Sequence, residues 1–323
     1  MSTTKQWPVD PDGWPVATAA DFGLDKAQID SIAGQLQQAS GNTRAGLVIV
    51  KEGVVVYEKY YQGGDADTKH QVFSCTKSWG STLIGIAVTK GLLSVEDPVT
   101  KWVPQPAPEV GTGALVKHLL TQTAHTTPPG TAFAYNSGSI VNTLPEVLEA
   151  ASKMSSHAFF ETFLAKPLQL TMVWPPCAAG GCPGSRYKAD YIQFGDQGPN
   201  GVLQSTIRDQ AKLGWLWLND GMWNGERLLD SAYIKAATNP TFDFQSIYGY
   251  LWWLNHEGPS MGPLGADLSY NPKVPKDLYH AVGGIGNCSI GVLPTQRMVI
   301  VHVGDLDTGG LGGHWELFEP LFK

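Results

Sequence analysis

Apolar residues recur along the chain at two periods, and the switch between them predicts strands at both ends and helices in the middle. Leu24 to Ala39 has helical spacing, with Asp25 and Asp30 near its start. Gly46–Val50 and Val54–Tyr60 are β-rich runs split by Lys51-Glu52-Gly53, the signal of a hairpin. Ser74 to Lys90 is apolar nearly all round and stops at Gly91, a favourable C-terminal cap, so it predicts a buried helix. Four prolines break the chain between Asp97 and Gly113, and a short helix is expected over Val116–Gln122. Helical period returns over Asn142–Leu164, Thr206–Asn219 and Ser231–Thr238, with a Gly- and Pro-rich loop from Trp174 to Gly201. Strand signals follow at Gly249–Leu254, Leu278–Val282, Cys288–Leu293 and Met298–Val303, and His314–Phe322 closes the chain as a helix. This order predicts an α+β fold. Residues 1–93 and 238–323 would build one antiparallel sheet with flanking helices, and a mainly helical insert, 94–237, would pack against it across a cleft.

Composition narrows the class. The chain has 323 residues, 42% hydrophobic and 16% charged, with 11 Trp, 11 Tyr and 11 Phe, enough to bury a core and too aromatic for disorder. The net charge of -7 comes with scattered Lys and Arg, so no nucleic-acid surface is expected. No apolar run reaches the roughly 18 residues of a membrane span. Met1–Asp10 lacks the apolar core of a signal peptide, which fits either a cytoplasmic chain or a mature form without its leader. Cys177 and Cys182 could close a small disulfide or remain two thiols, while Cys75 and Cys288 read as small buried hydrophobes. No metal or cofactor is expected: Asp305 and Asp307 read as a solvated turn, and the glycines from 309 to 313 lack a phosphate-loop context. Gly258-Pro259-Ser260-Met261-Gly262 fits Gly-x-Ser-x-Gly, but no helix starts after it, so it reads as loop.

Candidate chemistry begins at Ser74 and Lys77. A lone Ser-x-x-Lys is common by chance, and its ordinary reading is a helix-start serine followed by a surface lysine. Here the helix behind it is apolar nearly all round, so its first turn would face a cleft. Residues three apart on a helix are neighbours, which brings the Lys77 amine to the Ser74 hydroxyl. Burial and the positive end of the helix both disfavour an ammonium there, so the amine can take up a proton from Ser74.

Several ordered runs then make the chain resemble the serine β-lactamase-like family. They are Phe73-Ser74-Cys75-Thr76-Lys77-Ser78, Lys90-Gly91-Leu92-Leu93-Ser94-Val95-Glu96-Asp97-Pro98-Val99 and Lys117-His118-Leu119-Leu120-Thr121-Gln122-Thr123. Pro129-Gly130-Thr131-Ala132-Phe133-Ala134-Tyr135, Gly201-Val202-Leu203-Gln204-Ser205-Thr206 and Tyr248-Gly249-Tyr250-Leu251-Trp252-Trp253 follow. The resemblance runs from about Gly46 to the C-terminus. The family includes class C β-lactamases, penicillin-binding DD-peptidases, carboxylesterases and 6-aminohexanoate-dimer hydrolases. It implies the β-lactamase/transpeptidase-like fold, Ser74 as nucleophile with Lys77, and Tyr135 as general base or acid.

Two departures bear on substrate. Many relatives have Tyr-x-Asn, whereas here Ser137 takes the Asn position and Asn136 comes one residue early. The family's Lys-Thr-Gly or His-x-Gly strand should fall within Tyr279–Gly286, which contains no Lys. Two alignments are open. One puts the motif glycine at Gly283, so that the Gly284 N–H joins that of Ser74 in an oxyanion hole; the other shifts the motif onto His280. Without a cation for a substrate carboxylate, the expected partner is a small ester or linear amide. The alternatives are a β-lactamase or DD-peptidase in which His280 does the cation's work, and a non-catalytic sensor on the same fold. Intact Ser74, Lys77 and Tyr135 speak against the last.

Overall fold

A computed structural model describes residues 13–41, 44–126, 128–136, 138–182, 185–195, 203–260, 270–284, 288–304 and 313–323. Helix α1 (Lys26–Ala39) leads into strands β1 (Ala45–Lys51), β2 (Val54–Tyr61) and β3 (His70–Gln71), then helix α2 (Cys75–Thr89). The middle holds α3 (Val99–Trp102), α4 (Val116–Leu120), α5 (Thr143–Ser152), α6 (Ser156–Phe160), α7 (Lys166–Leu168), β4 (Gln204–Ser205) and α8 (Ile207–Leu218). Strands β5 (Met222–Trp223) and β6 (Glu226–Arg227), helix α9 (Ser231–Ala237), and strands β7 (Trp253–Leu254), β8 (Tyr279–Gly283), β9 (Cys288–Leu293) and β10 (Met298–Val303) complete the order, with a closing 3-10 helix at Gly313–Leu321.

Both chain ends supply the main sheet, as the periodicity predicts. Its six strands run antiparallel in the order β2-β1-β10-β9-β8-β7. The β1–β2 hairpin turns at Glu52 and Gly53, both left-handed at φ 53° and 82°, as a two-residue hairpin turn requires. Alternation gives the sheet two buried faces. On the inner face, Ala281, Ile290, Val301 and Val48 line up across β8, β9, β10 and β1 and join the core around α2 and α8. On the outer face, the row from His280 through Gly291 and Ile300 to Ile49 meets α1 and the C-terminal 3-10 helix, where Ile29, Leu36, Trp315 and Phe318 are buried.

Helix α8 lies directly on the inner face, although its sequence position falls within the expected helical insert. Gly214 permits the approach, since a Cβ there would stand 2.5 Å from the Val299 side chain. Helix α2 is buried at every residue from Cys75 to Ala87. Its glycines admit neighbours: a Cβ at Gly80 would strike Phe194, and one at Gly85 would strike Leu229 and Tyr233. Its polar side chains have partners that offset their burial. Ser78 donates to the Leu251 carbonyl at 2.7 Å, Trp217 Nε1 donates to Thr82 Oγ1 at 2.9 Å, and Ser81 meets the Tyr233 hydroxyl at 3.0 Å.

Three elements differ from their predicted form. The helical stretch 142–164 is broken at Lys153, left-handed at φ 60°, and restarts behind Ser155, whose side chain caps Ala158 N–H. Of 249–254 only Trp253 and Leu254 pair as strand; Leu251 adopts φ 60° and gives its N–H to the Leu120 carbonyl. The C-terminal helix is 3-10 in form, with Pro320 inside it. Cys177 and Cys182 form a disulfide. Cys75 and Cys288 are buried, and the Cys75 thiol donates to the Cys288 carbonyl at 3.4 Å. Among the described residues, no helix is long and apolar enough to cross a membrane. Asp305 and Asp307 lie outside the described residues.

Candidate active site

The site is built where the chain leaves β3 and enters α2. Pairing with β4 and a bond from Val72 N–H to the Leu203 carbonyl at 3.0 Å fix the approach. Phe73 then takes φ 44°, a conformation bulky side chains rarely adopt and one that concentrates at functional sites. Ser74 follows as the residue that begins the helix. A serine in that position usually spends its hydroxyl capping the helix, but Ser74 makes no such bond. Instead its Oγ, on a half-buried residue, accepts from Lys77 Nζ at 2.9 Å.

Lys77 is 1% exposed. Its Nζ stands 4.7 Å from the centre of the Tyr135 ring, a cation–π distance. Tyr135 is half-buried, with its ring stacked on Trp253 at 5.5 Å and 24°. Tyr248 meets it edge-on at 6.2 Å. Burial raises the Tyr248 hydroxyl well above its ordinary value, so Tyr248 stays a neutral phenol and is unsuited to act as a base. The serine, lysine and tyrosine are therefore contiguous, although Tyr135 lies 58 positions beyond Lys77 in the chain.

The end of β8 closes the other side. A Cβ at Gly283 would lie 2.1 Å from the Val72 carbonyl oxygen and 3.1 Å from the Cys75 nitrogen, so this backbone runs against the turn that carries Ser74. Gly284 has φ 59°, and a Cβ there would strike the Phe73 ring at 2.6 Å. Both glycines thus sit beside the serine turn.

Of the two places open to His280, a substrate-side group or a side chain on the outer face of the strand, its bond to Trp315 fits the second. His280 is one strand position out of phase with Ala281 and Gly283, and its Nδ1 accepts from Trp315 Nε1 at 3.0 Å on the outer face. Ser137 lies outside the described residues. Its neighbour Asn136 uses Oδ1 locally, accepting Gly138 N–H at 2.9 Å. Two residues of the site were not singled out from sequence. Gln122 sits inside a family-like run and Trp253 is one of many tryptophans; what distinguishes them is the bonds of Gln122 to the backbone N–H groups of Ala134 and Asn136, on either side of Tyr135, and the stacking of Trp253 on the Tyr135 ring.

The profile of the beta-lactamase family matches residues 29–309. The chain belongs to the beta-lactamase family. That family is of the serine-hydrolase type that includes β-lactamases and penicillin-binding proteins. A 6-aminohexanoate-dimer hydrolase of Paenarthrobacter ureafaciens is 31% identical over 97 residues, 29% of this chain and 25% of that protein. A penicillin-binding protein homolog from Caulobacter crescentus has the same fold, with a TM-score of 0.69 at 18% identity, over 92% of this chain and 96% of that one. So does EstCE1, a hydrolase with promiscuous acyltransferase activity, with a TM-score of 0.67 at 15% identity over 92% and 98%. The β-lactamase/transpeptidase-like, α+β fold expected from the ordered motifs is thus the fold observed.

Proposed function

We propose that this beta-lactamase-family chain is a carboxylesterase or linear-amide hydrolase that works through an acyl ester on Ser74. The observation that carries the reading is the 2.9 Å contact between Lys77 Nζ and Ser74 Oγ, with the Tyr135 ring against the same amine. In the first half-reaction Ser74 Oγ bonds to the substrate carbonyl carbon. Its proton passes through Lys77 and Tyr135 to the leaving alcohol or amine as that bond breaks. The N–H groups of Ser74 and Gly284 hold the developing oxyanion. Water then attacks the ester carbon, giving its proton to the same pair; the acid leaves and Ser74 regains its hydrogen.

The preference for esters and linear amides rests on what faces the serine. Strand β8 carries no Lys or Arg, and its His280 points to the outer face, so it offers no cation for a substrate carboxylate. The fold shared with a hydrolase of promiscuous acyltransferase activity and the partial similarity to a 6-aminohexanoate-dimer hydrolase fit this choice. The test is a panel of p-nitrophenyl acetate, p-nitrophenyl butyrate, the linear 6-aminohexanoate dimer and nitrocefin, run on wild type and Ser74→Ala. The reading expects ester or amide turnover to exceed nitrocefin turnover and to vanish in Ser74→Ala. Preferential nitrocefin hydrolysis would replace it with a β-lactamase, and no acylation by any substrate would replace it with a binding module.

A further inference from the structure

We propose that Gln122 and Trp253 are positioning residues that together fix Tyr135 against Lys77. The inference rests on the reading of Tyr135 as a proton-transfer group. Gln122 is 1% exposed and holds φ 59°, a left-handed conformation uncommon for a residue with a long side chain. Its carbonyl oxygen accepts Ala134 N–H at 3.0 Å, and its side-chain Oε1 accepts Asn136 N–H at 2.6 Å. One residue therefore grips the backbone on both sides of Tyr135. The left-handed turn is what lets carbonyl and side chain reach the same segment. A glutamine serving only to staple a loop has no reason to choose the two amides that flank this tyrosine.

Trp253 does for the ring what Gln122 does for the backbone. It is 5% exposed, stacks on Tyr135 at 24°, and is itself held edge-on by Tyr248 at 4.6 Å. Trp253 is also anchored to the sheet, because it pairs with His280 of β8. The Tyr135 ring thus contacts the Trp253 indole and Lys77 Nζ, and its backbone is held at two points. Side-chain placement of this kind matters because an ångström of misplacement at a reacting group can cost about a hundredfold in rate.

The test is a double-mutant cycle with p-nitrophenyl butyrate on wild type, Gln122→Met, Tyr135→Phe and the double variant. Methionine keeps the length and burial of Gln122 and removes the acceptor. The expected result is a fall in kcat of about 10- to 100-fold in Gln122→Met with KM within about twofold, and a double variant no slower than Tyr135→Phe alone. If Tyr135→Phe keeps wild-type kcat, the reading of Tyr135 itself fails. If Tyr135→Phe is impaired but Gln122→Met is unchanged, or multiplies with it, the positioning inference alone is overturned. Should Gln122→Met not fold, the same cycle with Trp253→Phe decides by the same criteria.

Discussion

The two faces of β8 carry different kinds of residue to different ends. Toward the inside, Ala281 and Gly283 are small, and the backbone at Gly283 comes against the turn of Ser74. Toward the outside, His280 is the group that looks more chemical on paper, yet it accepts a bond from Trp315 in a core shared with α1. A displacement of one residue separates a catalytic neighbour from a packing residue, because strand side chains alternate with period two. What matters at this strand is a missing side chain, which lets peptide groups approach the serine, rather than an ionisable one.

Removing the proposed base should produce the largest break. Lys77→Met is expected to lower kcat for p-nitrophenyl butyrate by about 10²–10⁴-fold, measured by steady-state kinetics, with the fold retained by circular dichroism. Next comes the inner face of β8. Gly283→Ala places a methyl 2.1 Å from the Val72 carbonyl, so the strand end must move away from Ser74. The expected fall in kcat is about 10²–10³-fold, the usual cost of a lost oxyanion donor. A wild-type rate in this variant would remove β8 from the site.

The outer face should respond in the opposite way. His280→Leu takes away the acceptor of Trp315 Nε1 in a buried setting, at a cost of about 1–3 kcal/mol read by chemical denaturation. Its kcat is expected to stay within about threefold of wild type, an effect small on the scale of the inner-face changes. A loss as large as that of Gly283→Ala would put His280 back among the site residues.

The smallest effect concerns a second buried histidine, on the side of the helices. Burial chiefly, with Lys117 adding to it, holds His118 below the ordinary histidine value of 6.5. Its Nδ1 accepts Leu115 N–H at 3.1 Å, a bond only the unprotonated nitrogen can take. Because the folded value is depressed, this contribution to stability is complete above pH about 6.5 and is lost as pH falls through the folded-state value. Tm should therefore decline between about pH 7 and pH 5, and His118→Gln should flatten that slope. An unchanged slope would separate His118 from the acid response.

Much of this arrangement was legible in the chain. The hairpin of β1 and β2, the buried helix behind Ser74 and the closing strands β9 and β10 each carry a local signal strong enough to survive tertiary contacts. Ser74 and Lys77 could be paired from sequence because helical spacing alone makes them neighbours. Tyr135 needed a family resemblance, since nothing local links it to Lys77. The face taken by His280 depends on register, which a strand whose residues are all buried does not reveal. Gln122 and Trp253 are hidden for another reason: the roles proposed for them rest on which backbone amides and which ring they touch. The break at Lys153 and the turn at Leu251 escaped because left-handed residues other than glycine leave little trace in composition.

The central claim is that Ser74 is the residue that becomes acylated. It is tested most directly by treating wild type and Ser74→Ala with a fluorophosphonate and mapping the adduct by intact-mass and peptide mass spectrometry. The account predicts one adduct on wild type, located on Ser74, with ester turnover lost in step with labelling, and none on Ser74→Ala. An adduct on another residue, or a Ser74→Ala protein that keeps full esterase activity, would contradict it.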